Sequence, residues 1–326
     1  MVNAYIKKRK IGEGTYATIY LSEQYTTNND CTPKIIKDPS GIYKQLVAIK
    51  KIKKNSRVCG IDINAVREIK ALMLVKSPYI VELVDVFQYN GCINIVLEYI
   101  PHTLEDMLKR KDLVIMPADI KAWLIMILKG LHEIHSRFLI HRDIKPNNIL
   151  FARDGVLKLA DFGLCRSVSS ERMTTQVITR WYRPPELLLG CRNYAFPADM
   201  WSVGCVMAEM FLRVPLFAAD SDIKQLDLIF RALGTPDDAY FQNLCGEMPI
   251  MFKKHPRSDF ESLFSAAGQD ALDLMKQLLD LNPNCRPSTL KAVGHRYFHS
   301  HPYPTAINSL PASVFEEDKR QAVNVA

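Results

Sequence analysis

His141-Arg142-Asp143-Ile144-Lys145-Pro146-Asn147-Asn148 decides the reading of this chain, together with Asp161-Phe162-Gly163, which begins eighteen residues after Asp143. A carboxylate near a hydroxyl can take its proton. A second carboxylate with an amide oxygen can hold Mg²⁺ against phosphates, because that ion takes hard oxygen ligands. The two stretches supply these residue types in close succession, and Pro184-Pro185-Glu186 closes the segment.

Upstream, Val47-Ala48-Ile49-Lys50 ends an apolar strand with a lysine, and Glu68 follows eighteen residues later on a helix. Brought together, they would make an ion pair that holds the amine near a polyphosphate. Nearer the N-terminus, Gly12-Glu13-Gly14-Thr15-Tyr16-Ala17-Thr18-Ile19 sits between two strand runs. Glycines there let the backbone approach phosphates with amides pointing inward. No helix follows, which disfavours a dinucleotide-binding fold.

In this order and spacing, the set resembles the protein-kinase signature. The resemblance implies an α+β, bilobal kinase fold: a small β-rich N-lobe with one key helix and a larger, mainly helical C-lobe. It implies Mg-ATP as phosphoryl donor. Gly12, Glu13, Gly14, Thr15, Tyr16, Ala17 and Thr18 would form the loop over the phosphates. Lys50 would contact the α- and β-phosphates, locked by Glu68. Ile11, Ile19, Ala48, Leu97 and Leu150 would form the adenine slot, and the backbone of Glu98 and Ile100 would bind the base edge. Asp143 would accept the substrate proton, Lys145 would steady the transferring phosphate, and Asn148 and Asp161 would bind Mg²⁺. Asp199 would brace the catalytic loop, and Glu186 would pair with Arg286. One departure stands out: Ala17 replaces the third glycine, adding a methyl but removing no amide donor. Every polar catalytic position is filled, so an active enzyme is expected.

Composition agrees with a folded chain. With 326 residues, 48% hydrophobic and 24% charged, it can build a real core and is not disordered as a whole. No apolar run approaches the ~20 residues of a membrane span, and no secretory h-region is visible at the N-terminus. The net charge of +7 permits acidic partners without requiring them. Its densest basic runs are Lys7 to Lys10 and Lys50 to Lys54. They read as a solvated strand face, with an anion-binding patch as the alternative. Eight scattered cysteines without a C-x-x-C pair read as small buried hydrophobes in a reducing compartment.

Short runs rich in Val, Ile and Tyr predict strands over 10–20, 46–52, 80–89 and 92–99, with Asn90-Gly91 as a hairpin turn. Val66, Ile69, Leu72 and Met73 predict a helix over 63–75. Helices follow over 119–135, buried all round, and over 198–211, 223–233, 269–279 and 288–293. The N-lobe is placed at 1–100, the C-lobe at 101–301 and an extended surface tail at 302–326. Tyr25 to Lys44 reads as a long surface loop.

Arg67, Arg142 and Arg166 match the arginines that, in the family, converge on a phosphothreonine, here Thr174, twelve residues before Glu186. Thr175 is the adjacent alternative. The helix reading Asn64-Ala65-Val66-Arg67-Glu68 resembles the cyclin-contacting helix of cyclin-dependent kinases. Val177 to Arg183 resembles the segment that forms a pocket for a proline after the phosphoacceptor. The T-x-Y site of MAP kinases is absent. Together with Ala17 and the Pro-rich end, these features resemble the CDK-activating branch associated with the transcription factor TFIIH. This implies a cyclin partner, a third assembly subunit, Ser/Thr-Pro substrates and nuclear residence with a cytoplasmic pool allowed. No direct nucleic-acid or membrane partner is expected. A cell-cycle cyclin-dependent kinase and a non-catalytic cyclin-binding scaffold are the alternatives.

Overall fold

The computed structural model describes residues 2–14, 16–27, 45–53, 62–168, 173–174, 177–236, 253–256 and 260–311. Thr15, Thr175, most of the expected 25–44 loop and the tail beyond 311 lie outside these residues. The chain divides into two compact units, Met1–Lys76 with Val81–Pro101, and Ser77–Ile80 with His102–Ala326.

The first unit is built on an antiparallel sheet of order β1-β2-β3-β5-β4. Its strands are β1 (Val2–Glu13), β2 (Ala17–Thr27), β3 (Gln45–Ile52), β4 (Leu83–Tyr89) and β5 (Cys92–Glu98). Side chains alternate across the pleat. Val47 and Ile49 of β3 are therefore buried with Val96 against Tyr5, Val84 and Phe87, and Ala48 and Lys50 point to the opposite face. Asn90 and Gly91 both have positive φ, +50° and +67°, as a tight two-residue hairpin turn requires.

Two expectations change here. Strand β1 reaches back to Val2, and β2 runs on through Tyr25 to Thr27, so the loop starts later than the composition implied. Tyr25 is buried, and its hydroxyl donates to Glu23 at 2.6 Å. The solvated strand face expected at Lys7 to Lys10 is the middle of β1, and the single run expected over 10–20 divides into the end of β1 and the start of β2.

Helix α1 (Ile63–Leu74) starts at Asp62, whose carboxylate accepts from the Asn64 and Ala65 amides. Its inward face is Ala65, Glu68, Ala71 and Leu72. Of the predicted apolar stripe Leu72 is buried and Val66 and Ile69 are half-buried; Met73 is 62% exposed, beside Leu74 at 58% and, at the first position of the helix, Ile63 at 60%. The helix turns a carboxylate inward and leaves apolar side chains outside.

The second unit is mainly helical. Its core helices are α3 (Pro117–His135) and α5 (Pro197–Leu212), both buried along most of their length. Around them stand α6 (Asp222–Leu233), α7 (Gln269–Leu278) and α8 (Thr289–Val293). Two short helices were not foreseen. α2 (Leu104–Lys109) is held by a Thr103–Asp106 capping box, and α4 (Pro185–Leu188) is a single turn. Both are too short to show an apolar period.

Small sheets pin the loops between helices: β6 (His102–Thr103) with β8 (Ile149–Phe151) and β9 (Leu157–Leu159), and β7 (Leu139–Ile140) with β10 (Arg166–Ser167). The first part of the tail is docked and not merely surface-extended: Thr305 donates to Asp119 Oδ1 at 2.7 Å and Leu310 is buried. Cys92, Cys165 and Cys205 are buried as expected, whereas Cys191 is half-buried and Cys285 exposed. No described helix is long and apolar enough to cross a membrane.

Candidate active site

In the first unit, Lys50 and Glu68 meet: Nζ donates to both carboxylate oxygens at 2.7 and 2.9 Å. The pair is desolvated, at 13% and 3% side-chain exposure, so it is worth more than a surface bridge. Register places Ile19 opposite Lys50 and Leu97 opposite Ala48. Ile19, Ala48, Lys50 and Leu97 thus share one face of the sheet, half-buried. Ile11 stands exposed on β1. Gly12 pairs with Ile19, and the chain reverses after Gly14, whose amide donates to the Ala17 carbonyl at 2.9 Å.

A Cβ at Gly12 would meet only Ile19, at 3.6 Å, and one at Gly14 only the Ala17 carbonyl, at 3.9 Å. Neither contact forbids a side chain, so the internal packing of the sheet does not explain these glycines. Ala17 is buried, Tyr16 is 72% exposed, and Thr18 lies on the face opposite Ile19. Glu13 is committed to Lys10 and to Lys53, the latter at 2.8 Å. The Glu98 amide donates to the Glu82 carbonyl at 3.1 Å, and Ile100 follows β5 with its backbone groups outside the ladder.

In the second unit the chemistry gathers around Asp143. Its Oδ2 accepts from Lys145 Nζ at 2.9 Å and Asn148 Nδ2 at 2.7 Å. Its Oδ1 accepts from the Thr179 amide and hydroxyl at 3.3 and 3.2 Å. Lys145 also donates to Thr179 Oγ1 at 2.8 Å. Both Asn148 amide protons point to Asp143, so its carbonyl oxygen is left as a hard acceptor. Asp161 is exposed, at φ +59°, while the next residue, Phe162, is fully buried edge-on against His141. Leu150, on β8, is half-buried.

The loop before Asp143 is held from beneath. Asp199, fully buried on α5, accepts from the His141 and Arg142 amides, both at 2.9 Å, and from His135 Nε2 at 2.8 Å. Burial pushes this carboxyl up, but the hydrogen bonds from His135 and the loop outweigh it and hold the group below the ordinary range. His141 faces the Ala160 carbonyl through Nε2 at 3.1 Å, while Nδ1 accepts from the Asp143 amide at 3.2 Å. Only the neutral Nε2–H tautomer satisfies both contacts, and burial lowers the imidazole pKa accordingly.

Arg142, at φ +66°, donates to the Leu164 carbonyl, the Tyr194 hydroxyl and Thr174 Oγ1, at 2.7, 2.9 and 3.4 Å. The Tyr194 hydroxyl in turn donates to the Thr174 carbonyl at 2.7 Å. Arg166 sits on β10 beside this group, and Arg67 lies on α1 in the first unit. Further along, Ile178 adopts φ +64°, and its carbonyl accepts from Arg183 Nε and Nη2 at 3.2 and 2.9 Å. Glu186 and Arg286 form a bidentate pair at 2.7 and 2.8 Å, both buried. The sequence did not single out Thr179 or Tyr194, and nothing local distinguishes them.

Residues 5–298 match the model of the protein kinase domain family. The chain is 51% identical to the probable serine/threonine-protein kinase KIN28 homolog of Encephalitozoon cuniculi, over 95% of this chain and all of that one. It is 48% identical to the serine/threonine-protein kinase crk1 of Schizosaccharomyces pombe, over 96% and 90%, and 41% identical to cyclin-dependent kinase 7 of Xenopus laevis, over 94% and 84%. Among solved structures, a chain of the CAK complex from Chaetomium thermophilum, bound to ATP-γ-S, superposes with a TM-score of 0.81 at 39% identity, covering 94% of each chain.

Proposed function

The chain belongs to the protein kinase family, as a serine/threonine kinase of the cyclin-dependent type, and from that premise we propose how its residues divide the work. The observation that carries the proposal is the Asp143 carboxylate, oriented by Lys145, Asn148 and Thr179 and braced through Asp199. Asp143 accepts the proton of a substrate Ser or Thr hydroxyl. The hydroxyl oxygen bonds to the γ-phosphorus of ATP, the bond to the β-phosphate oxygen breaks, and ADP leaves. Lys145 meets the charge on the transferring group, and Lys50, fixed by Glu68, meets the α- and β-phosphates. Gly12 and Gly14 leave room for the phosphates to approach the backbone. Ile11, Ile19, Ala48, Leu97 and Leu150 line the adenine, with the backbone of Glu98 and Ile100 on its edge.

Mg²⁺ fits the donors present. Asn148 offers an amide oxygen and Asp161 an exposed carboxylate, and this ion needs only one or two protein oxygens beside phosphates and water. When bound, it neutralises phosphate charge. The chain's own residues orient the nucleophile.

Proline preference follows from Ile178. Its carbonyl is spent on Arg183, so a substrate residue after the phosphoacceptor finds no acceptor there for its N–H. Proline has none to satisfy. Arg67, Arg142 and Arg166 are assigned to a phosphate on Thr174, which would order the segment by charge-assisted bonds. The exposed Ile63, Met73 and Leu74 suit a cyclin that holds Glu68 toward Lys50.

The CDK-activating and TFIIH-associated role, a third assembly subunit and nuclear residence rest on likeness to the KIN28 and cyclin-dependent kinase 7 relatives. The test is phosphate transfer by the co-purified complex to an RNA polymerase II repeat peptide and to an inactive cyclin-dependent kinase, with Asp143→Asn as control. Transfer to either, lost in the control, supports the role. Transfer only to a histone-type Ser-Pro peptide would move the chain to the cell-cycle branch.

A further inference from the structure

The two basic runs of the first unit do not form a uniform positive surface. Lys8 pairs with Glu23, Lys10 and Lys53 with Glu13, and Lys50 with Glu68. Among the described residues, Lys7 and Lys51 alone of the lysines in these runs have no carboxylate within salt-bridge distance. Lys51 lines one groove, and Lys7 reaches over a ring that also lines it. This groove of about 270 Å³ on the sheet is lined by Thr18, Tyr20, Lys51, Lys53 and Cys92. The Lys7 ammonium lies 4.4 Å from the centroid of the Tyr20 ring. Thr18 pairs with Lys51 in the ladder, and Tyr20 pairs with Ile49. These side chains therefore lie on the face opposite Lys50, outside the catalytic set.

Partial burial lowers the Lys7 pKa, and the charge of Lys51 lowers it further. Two cations that feel one another without an anion are the arrangement a dianion relieves. Among the described residues, no Asp or Glu lines the groove. Glu13, which pairs with Lys53 of the lining, also faces Lys10.

We propose that this groove is a docking site for a phosphorylated serine or threonine on a partner protein. A phosphomonoester carries close to two negative charges and matches Lys7 and Lys51 together, where a single carboxylate would match one. A nucleic-acid track would need a stripe of unpaired cations. The pairing of Lys8, Lys10 and Lys53 with carboxylates interrupts such a stripe.

The test uses the full chain in its purified complex and a Gly-Ser-phosphothreonine-Gly-Ser peptide as probe. Lysine reactivity is read by reductive methylation and mass spectrometry, with the exposed Lys111 as reference. The phosphopeptide is expected to protect Lys7 and Lys51 saturably, by about fivefold or more, and the unphosphorylated peptide to protect neither. Lys51→Gln is expected to weaken protection of Lys7 about tenfold while leaving basal kinase activity unchanged. Four results would overturn the proposal: no protection, equal protection by the unphosphorylated peptide, equal protection by inorganic phosphate alone, or protection by a single-stranded oligonucleotide but not by the phosphopeptide.

Discussion

Thr179 holds Asp143 by two atoms at once, its amide at 3.3 Å and its hydroxyl at 3.2 Å, both on Oδ1. The same hydroxyl accepts from Lys145 at 2.8 Å, so one side chain fixes both the proton acceptor and the cation beside it. Thr179→Val keeps the amide contact and the volume but loses the hydroxyl. It is expected to lower kcat by about tenfold to a hundredfold, as misplacement of a catalytic group does. KM for ATP should stay within about threefold, because the lost contact acts in the transfer step. Thr179→Ser should recover most of the rate. Steady-state transfer to a Ser-Pro peptide measures all three.

How much of this could be read beforehand depends on distance along the chain. Lys50, Glu68, Asp143, Asn148 and Asp161 sit in short strings whose spacing is itself the signal. Thr179 and Tyr194 act on residues 36 and 52 positions away, and no local pattern announces such contacts. The hairpin at Asn90-Gly91 was legible because its turn chemistry is local. The extent of the first strand was less so: its charged stretch read as a strand face, but its start at Val2 carries no apolar alternation to mark it. The inward face of α1 was misread for a related reason. Its buried face includes a carboxylate with a distant lysine partner beside Ala65, Ala71 and Leu72, while Ile63, Met73 and Leu74 stay outside.

Arg183 bears on specificity. Two of its nitrogens hold the Ile178 carbonyl and one holds that of Val177, with Ile178 at φ +64°. A β-branched residue there is strained and needs this support. Arg183→Ala should free the carbonyl and relax the segment. The ratio of kcat/KM for Ser-Pro over Ser-Ala peptides is expected to fall by about tenfold, the worth of one buried hydrogen-bonding preference. An unchanged ratio would separate Ile178 from proline selection.

Glu186 and Arg286 should matter for stability more than for chemistry. Both are buried, their bond is bidentate, and Arg286 also donates to the Asp280 and Pro197 carbonyls. Glu186→Gln or Arg286→Met leaves one buried charge without its partner. Each is expected to cost about 3–5 kcal/mol. Replacing both at once should cost less than the sum of the two. Urea denaturation of the four proteins gives the cycle.

Glu209 offers a pH dependence of unusual sign. It lies buried on α5, where its Oε2 accepts from the Tyr182 hydroxyl at 2.7 Å. Burial pushes its carboxyl up to about 7, with help from nearby Glu105, although the Tyr182 hydrogen bond opposes the rise. The ordinary value is 4.5, so between pH 4.5 and 7 the folded state binds more protons at this site than the unfolded state. Stability from this group is therefore full below about pH 4.5 and is lost as pH rises through 7. The whole change is on the order of 3 kcal/mol by linkage. Glu209→Gln cannot ionise, and its amide oxygen can still accept from Tyr182. Relative to the parent, the variant should gain stability from pH 5 to about 7, level off above that and be the more stable protein at pH 8. The urea midpoint of each, measured across that range, gives the difference directly, and parallel profiles would mean that Glu209 stays ionised throughout.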